Sequence, residues 1–351
     1  MDRFMRAARF HGPGTEIKIE EVPYPLPGPG EVVVRVAACG ICGTDVHFLE
    51  GMPVPGGLPF TLGHEPSGIV ETIGAGVRGW QPGDRVALHL GAGCGTCRAC
   101  TSGHPNCCPH LTVPGLHIDG AFAEAIRVPV GSLVRVPERV SLAAAALATD
   151  CVASPYHALA CRAALRQGER LAVIGCGGLG GQAVSLGRVL GASQVVAVDV
   201  SRVALERAAR EGATHRVDAS SESDAAGAVR DLTGGGADVA IECVGTPETV
   251  AAGVRALAPG GRLVVVGVGM MPPAVGVPQA TFAVQELSIL GSFGSHQRDL
   301  EEVLRLQADG AIDIEASISH RLRLDQVAEG LEMLRTRRGD PRRIVVEIPV
   351  G

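Results

Sequence analysis

The sequence predicts an α/β protein of two domains, a barrel-like β domain and a doubly wound parallel sheet. Three observations predict it. Up to about residue 150, short apolar runs are cut by glycine and proline. The middle of the chain alternates short, wholly apolar runs with helical patterns, as in a sheet covered on both faces. A glycine fingerprint stands between the first of those runs and the first of those helices.

In the first part, the turn Pro27-Gly28-Pro29-Gly30 leads into a strand at 31–36 (EVVVRV). Further strands are expected at 69–73 and 84–88, the second entered through Gln81-Pro82-Gly83. In the middle, strands are expected at 171–174, 195–198, 239–241, 263–266 and 287–290, with 214–217 supplying the third in order. Helical patterns at 202–210 and 248–257 lie between them. After Gly291 come helices near 300–307 and 324–336, then a strand at 344–348. A strand so far beyond the βα repeat has no place in it, so the tail should return to the first domain. The expected domains are residues 1–152 with 293–351, and residues 153–292.

With 46% hydrophobic and only 3% aromatic residues, the cores must be built from Ala, Val and Leu. A net charge of −6 argues against a nucleic-acid or anionic-membrane partner. No run is apolar enough to span a bilayer, and the N-terminus lacks the apolar core of an export signal, so a cytoplasmic protein is expected. Several of the 11 cysteines are spaced as metal ligands rather than as a disulfide framework.

The run at 171–174 leads into Gly175-Cys176-Gly177-Gly178-Leu179-Gly180. In such a fingerprint Gly175 permits the tight turn, Gly177 lets backbone approach a pyrophosphate, and Gly180 lets helix and strand pack closely. The helix start at Gly178 and Leu179 then offers N–H groups to phosphate. Asp199 ends the next strand at the spacing of a ribose-binding carboxylate, which favours NAD over NADP. Arg202 keeps the NADP alternative open.

Cys94, Cys97, Cys100 and Cys108 form C-x2-C-x2-C-x7-C within the glycine-rich stretch 91–110. Four thiolates enclose zinc with no open position, the mark of a structural site. The stretch has little apolar surface to bury, so the metal would order it. Cys107 is spare.

Two further segments are Cys39-Gly40-Ile41-Cys42-Gly43-Thr44-Asp45-Val46-His47 and Gly63-His64-Glu65. With the four-cysteine loop and the glycine fingerprint, all in order along nearly the whole chain, they make it resemble the medium-chain zinc alcohol dehydrogenases. The resemblance implies a GroES-like β-barrel catalytic domain split around a Rossmann domain. It implies two zinc ions per chain, NAD, and assembly as a homodimer or homotetramer. Cys42 and His64 match two ligands of the family's catalytic zinc. The third falls on Asp150 by spacing from Tyr156, with Cys151 as the alternative. Glu65 matches a carboxylate near that metal. Thr44 and His47 match the first and last carriers of the proton released on alcohol oxidation, and histidine suits the task because it titrates near neutrality.

Gly43 stands where some relatives carry a basic residue on the pyrophosphate, and Arg342 or Arg343 is expected to compensate. The implied activity is reversible hydride transfer between a small-molecule alcohol (primary, secondary or polyol) and NAD, giving aldehyde or ketone. Two rivals remain at this point: a reductase of an activated carbon–carbon double bond, and a non-catalytic NAD-binding protein.

Overall fold

A computed structural model of the chain describes residues 3–55 and 57–349. The chain divides into two compact units, Met1–Cys151 with Ser295–Gly351, and Val152–Gly294.

The first unit is organised by the long strand Glu31–Ile41, buried along nearly all of its length. On one side it pairs antiparallel with Glu65–Ile73, which pairs with Arg85–Leu88 and through it with Leu133–Arg135. Ala125–Pro129 pairs with its first half, and the tail strand Arg343–Glu347 with its second. The tail strand therefore lies in this sheet. It brings a departure from the antiparallel expectation: Ile318–Arg323 runs parallel to Arg343–Glu347, the two joined through the helix Val327–Thr336. A parallel pair needs such a crossover. That helix starts later than the expected 324, because Leu324–Gln326 forms a 3-10 turn first. The core gathers Val32, Val34, Val36, Cys39 and Ile41 with Phe10, Phe48 and Phe122. A second small sheet orders Lys18–Pro23, Phe4–Phe10 and Phe60–Thr61.

The second unit holds six parallel strands: β1 (Arg170–Ile174), β2 (Gln194–Asp199), β3 (His215–Asp218), β4 (Ala237–Glu242), β5 (Leu257–Val265) and β6 (Ser288–Gly291). Their order is β3-β2-β1-β4-β5-β6. The winding reverses between β1 and β4, where ligands of such sheets bind, beyond the carboxyl ends of the strands. Helix α1 (Gly178–Val189) follows β1. The helical pattern read as 248–257 is a helix over Pro247–Arg255, and Leu257 already begins β5. Valine and alanine fill this core, with Ala172, Val196, Val198, Ala240 and Leu263 among its buried members.

Among the described residues, no helix is long and apolar enough to cross a membrane.

Candidate metal centre and cofactor loop

Strand register builds the first cluster. Gly40 pairs with Glu65, so the end of one strand, at Cys42, comes beside the start of the other, at His64. A side chain at Gly40 would collide with the Glu65 carboxylate, so glycine is required there. Cys42 caps the short helix Gly43–Leu49. Asp150 comes from a π-helical turn, Ala148–Val152, that interrupts the helix begun at Leu142. Such insertions recur at functional sites because they re-aim one side chain.

Oδ2 of Asp150 lies 3.7 Å from Nε2 of His64 and 3.9 Å from Sγ of Cys42. With Glu65, these residues offer one ligand atom each, all within 4.8 Å of one another. Ligands around one tetrahedral zinc stand roughly 3.4 to 3.8 Å apart. The buried Cys151 does not join the group.

The cluster is rich in anions. Burial opposes a charged His64, yet Asp45 and Asp150 hold its pKa well above the ordinary value. Burial raises Glu65 as well, against the pull of Arg343. Oε1 of Glu65 and Nδ1 of His64 are buried without a hydrogen-bond partner. A divalent cation fits this donor set: thiolate, imidazole and carboxylate would neutralise it and relieve the surplus negative charge.

Two neighbours complete the surroundings. Asp45, which the sequence reading left without a role, is fully buried. Its Oδ2 accepts from the Cys42 N–H at 2.9 Å and its Oδ1 from the Gly63 N–H at 3.2 Å. Oδ1 also faces Nδ1 of His64 at 3.5 Å, within ion-pair range but too long for a hydrogen bond. A carboxylate behind a ligating imidazole orients the ring. The only sequence signal for Asp45 is its place three residues after the helix cap. Arg343, also expected at the pyrophosphate, is buried with Nη2 on the Glu65 carboxylate. Its strand lies beside Glu31–Ile41, which directs the side chain to the metal cluster. Thr44 lies 3.8 Å from the Cys42 thiol, and His47, three residues on along the same helix, is exposed.

The second cluster is Cys94, Cys97, Cys100 and Cys108, again within 4.8 Å of one another. The Cys94–Cys100 and Cys97–Cys108 sulfurs are 4.0 and 3.7 Å apart, close to the roughly 3.8 Å edge of a Zn–S4 tetrahedron. Backbone N–H groups of Cys94 and His110 point at Sγ of Cys108, and that of Cys97 at Sγ of Cys94. The Thr96 hydroxyl also meets Cys94 and leads the groups that lower its thiol to about 5. Donors aimed at sulfur favour thiolates, which is the form zinc needs. Cys107 stands outside the group.

In the second unit, Gly175 turns the chain at φ +83, a conformation that favours glycine. A side chain at Gly180 would strike the Gly175 carbonyl, so helix and strand pack as closely as the fingerprint demands. A β-carbon at Gly177 would meet nothing within 4 Å, and Gly177 caps α1 without a side-chain partner. This helix start, with no side-chain cap and Gly178 and Leu179 as its first residues, suits a pyrophosphate. Asp199 ends β2 and braces the loop: Oδ2 accepts from the Cys176 N–H at 2.6 Å and Oδ1 from the Ser201 N–H at 2.8 Å. Arg202 is engaged with Asp218 at 3.0 Å.

Residues 28–138 match the alcohol dehydrogenase GroES-like domain family, and residues 178–309 match the zinc-binding dehydrogenase family. The chain is 32% identical to a sorbitol dehydrogenase of Bacillus subtilis, over 93% of each chain. It is 30% identical to an NAD-dependent alcohol dehydrogenase of Sulfurisphaera tokodaii, over 97% of this chain and 100% of that one. A zinc-binding dehydrogenase of Sinorhizobium meliloti solved with NADP superposes with a TM-score of 0.90 at 33% identity, covering 98% of this chain and 99% of that one. The chain belongs to the medium-chain zinc-dependent alcohol dehydrogenase family.

Proposed function

We propose that this oxidoreductase moves hydride reversibly between an alcohol (primary, secondary or polyol) and NAD, giving aldehyde or ketone. The observation that supports it most is the convergence of Cys42 Sγ, His64 Nε2 and Asp150 Oδ2 on a volume fit for one small cation. A divalent cation there supplies Lewis acidity toward an alcohol or carbonyl oxygen, and the nicotinamide accepts or donates the hydride.

The chain's own residues do the rest. Cys42, His64 and Asp150 would hold the catalytic zinc. Asp45 orients His64, and Arg343 balances Glu65, whose carboxylate stays near the metal as an alternate ligand. Thr44 takes the alcohol proton and His47 passes it to solvent. Cys94, Cys97, Cys100 and Cys108 hold the second zinc and order the lobe at 91–110. Gly175, Gly177, Gly178, Leu179 and Gly180 cradle the pyrophosphate.

NAD is preferred because Asp199 is placed for ribose hydroxyls and its charge repels a 2′-phosphate, while Arg202 is committed to Asp218. The split first unit is the GroES-like catalytic domain and the second the Rossmann domain. The family resemblance supports a homodimer or homotetramer, and cysteines spaced as metal ligands rather than as a disulfide framework support a cytoplasmic location.

A panel of alcohols, polyols and carbonyls, with activated enones as controls, tests this reading with NAD and NADP side by side, before and after chelation. NAD-linked alcohol oxidation that chelation abolishes is the expected result. Enone reduction alone, or turnover indifferent to chelation, would overturn it.

A further inference from the structure

The helix that leads to Asp150 is fixed at several points before it gets there. Ser141 caps it, its Oγ accepting from the Ala144 N–H at 3.0 Å. The Ser67 hydroxyl donates to the Leu142 carbonyl at 2.5 Å, tying the first turn to the strand Glu65–Ile73 that follows His64. At the other end Leu147 packs against Gly40, where a β-carbon would come within 2.9 Å of its Cδ2. Residues 143–149 are buried throughout. The direction of the helix is therefore set, and the turn that departs from it decides where Asp150 points.

Thr149 stands directly before Asp150 and is fully buried. Its Oγ1 donates to the Ala146 carbonyl at 2.6 Å. In a regular α-helix that carbonyl accepts from the N–H four residues on, which is that of Asp150. Thr149 thus competes with Asp150 for one acceptor. Such a back-bond by threonine weakens and bends a helix locally. Here the helix does leave the α form, and the π-helical turn Ala148–Val152 opens where the competition falls. One extra residue in a turn rotates the side chains beyond it by about 100° around the axis. A buried threonine that bonds its own helix is ordinary packing. What sets Thr149 apart is that the carbonyl it takes is the one a regular helix would give to Asp150.

We propose that Thr149 is a positioning residue for the catalytic metal: by holding the Ala146 carbonyl, its hydroxyl keeps the π-helical turn open and aims the Asp150 carboxylate at His64 and Cys42. The proposal rests on the reading of Cys42, His64 and Asp150 as metal ligands. Without the hydroxyl, the Asp150 N–H takes the Ala146 carbonyl and the turn tightens toward α. Oδ2 of Asp150, which lies 3.7 Å from Nε2 of His64, then swings away from its partners. Metal–ligand distances tolerate only about 0.2 Å, so even partial tightening weakens the hold on the ion. Thr149, buried with its hydroxyl engaged, acts only through Asp150.

The test uses the full chain with zinc in the four-cysteine site and cobalt(II) at the catalytic site, where its visible bands report ligand geometry. Native protein is compared with Thr149→Val, which keeps the branched shape and loses the hydroxyl, and with Thr149→Ser, which keeps the hydroxyl. Competition with a chelator measures cobalt affinity. Thr149→Val should bind catalytic cobalt about tenfold more weakly and shift its bands, while Thr149→Ser stays within about twofold of native with native bands.

The melting temperature of the metal-free protein separates a role in stability alone. A lower melting temperature in Thr149→Val with native cobalt affinity and bands would overturn the proposal, as would equal losses of affinity in Thr149→Val and Thr149→Ser. Should Thr149→Val not fold, Thr149→Ala carries the same expectation and the same contrary result. A native protein that binds no ion beyond the one at the four cysteines defeats the reading of the catalytic metal centre itself, an outcome distinct from these.

Discussion

The Asp150 carboxylate and the His64 imidazole face each other at 3.7 Å between Oδ2 and Nε2, both atoms also within reach of the Cys42 sulfur. The separation is too long for a hydrogen bond and close to what two ligands of one zinc require. Residues 64 and 150 reach this point from a strand start and a π-helical turn, so the arrangement belongs to the fold of the first unit alone.

Replacing Arg343 by Ala should destabilise the first unit by about 3–5 kcal/mol, because it leaves Glu65 buried without its partner. The double change Arg343→Ala with Glu65→Gln should recover much of that loss. Urea unfolding of the four proteins checks this, and strict additivity would show that the pair does not act as a unit.

Asp199→Ala removes the carboxylate that braces Cys176 and Ser201 and that the ribose is proposed to meet. NAD affinity should fall about tenfold while NADP affinity holds or improves. Parallel titration of both cofactors reads the ratio; an unchanged ratio would separate Asp199 from cofactor choice.

Cys97→Ser should lose one zinc ion per chain and open the stretch 91–110 to protease, without unfolding the cores. Limited proteolysis followed by mass spectrometry locates the cut. A lobe as resistant as the native one would speak against a structural metal.

The pH dependence of stability has a defined contributor in the second unit. Arg170 holds Asp238 below the ordinary carboxylate value through two side-chain bonds, at 2.6 and 2.8 Å. The unfolded chain therefore binds this proton more readily. The stabilisation is fully present above the unfolded pKa and is lost as pH falls through the lower folded value. Asp238→Asn should flatten the loss of stability below about pH 4 and lower stability at neutral pH. Thermal melts across pH 2 to 7 measure it.

Much of this was legible because the signals are local. The fingerprint from Gly175 to Gly180 and the spacing of Cys94, Cys97, Cys100 and Cys108 carry their geometry within a few residues. The return of the tail was legible from the lack of any other place for a strand at 344–348. What escaped depends on distant segments. Arg343 and Glu65 are 278 positions apart, and only the pairing of Arg343–Glu347 with Glu31–Ile41 joins them. Asp45 reads as a helix-cap residue until Gly63 and His64 come beside it. The strand Ile318–Arg323 alternates half-buried and exposed residues with three charged or imidazole side chains, a pattern too polar to distinguish from a loop.

The most direct test of the metal centre compares Asp150→Asn with Cys151→Ser for bound zinc and turnover. Asp150→Asn should lose one of two zinc ions per chain and cut kcat by about 100-fold or more, while Cys151→Ser keeps both ions and most activity. Full zinc and activity in Asp150→Asn, with loss in Cys151→Ser, would contradict the account.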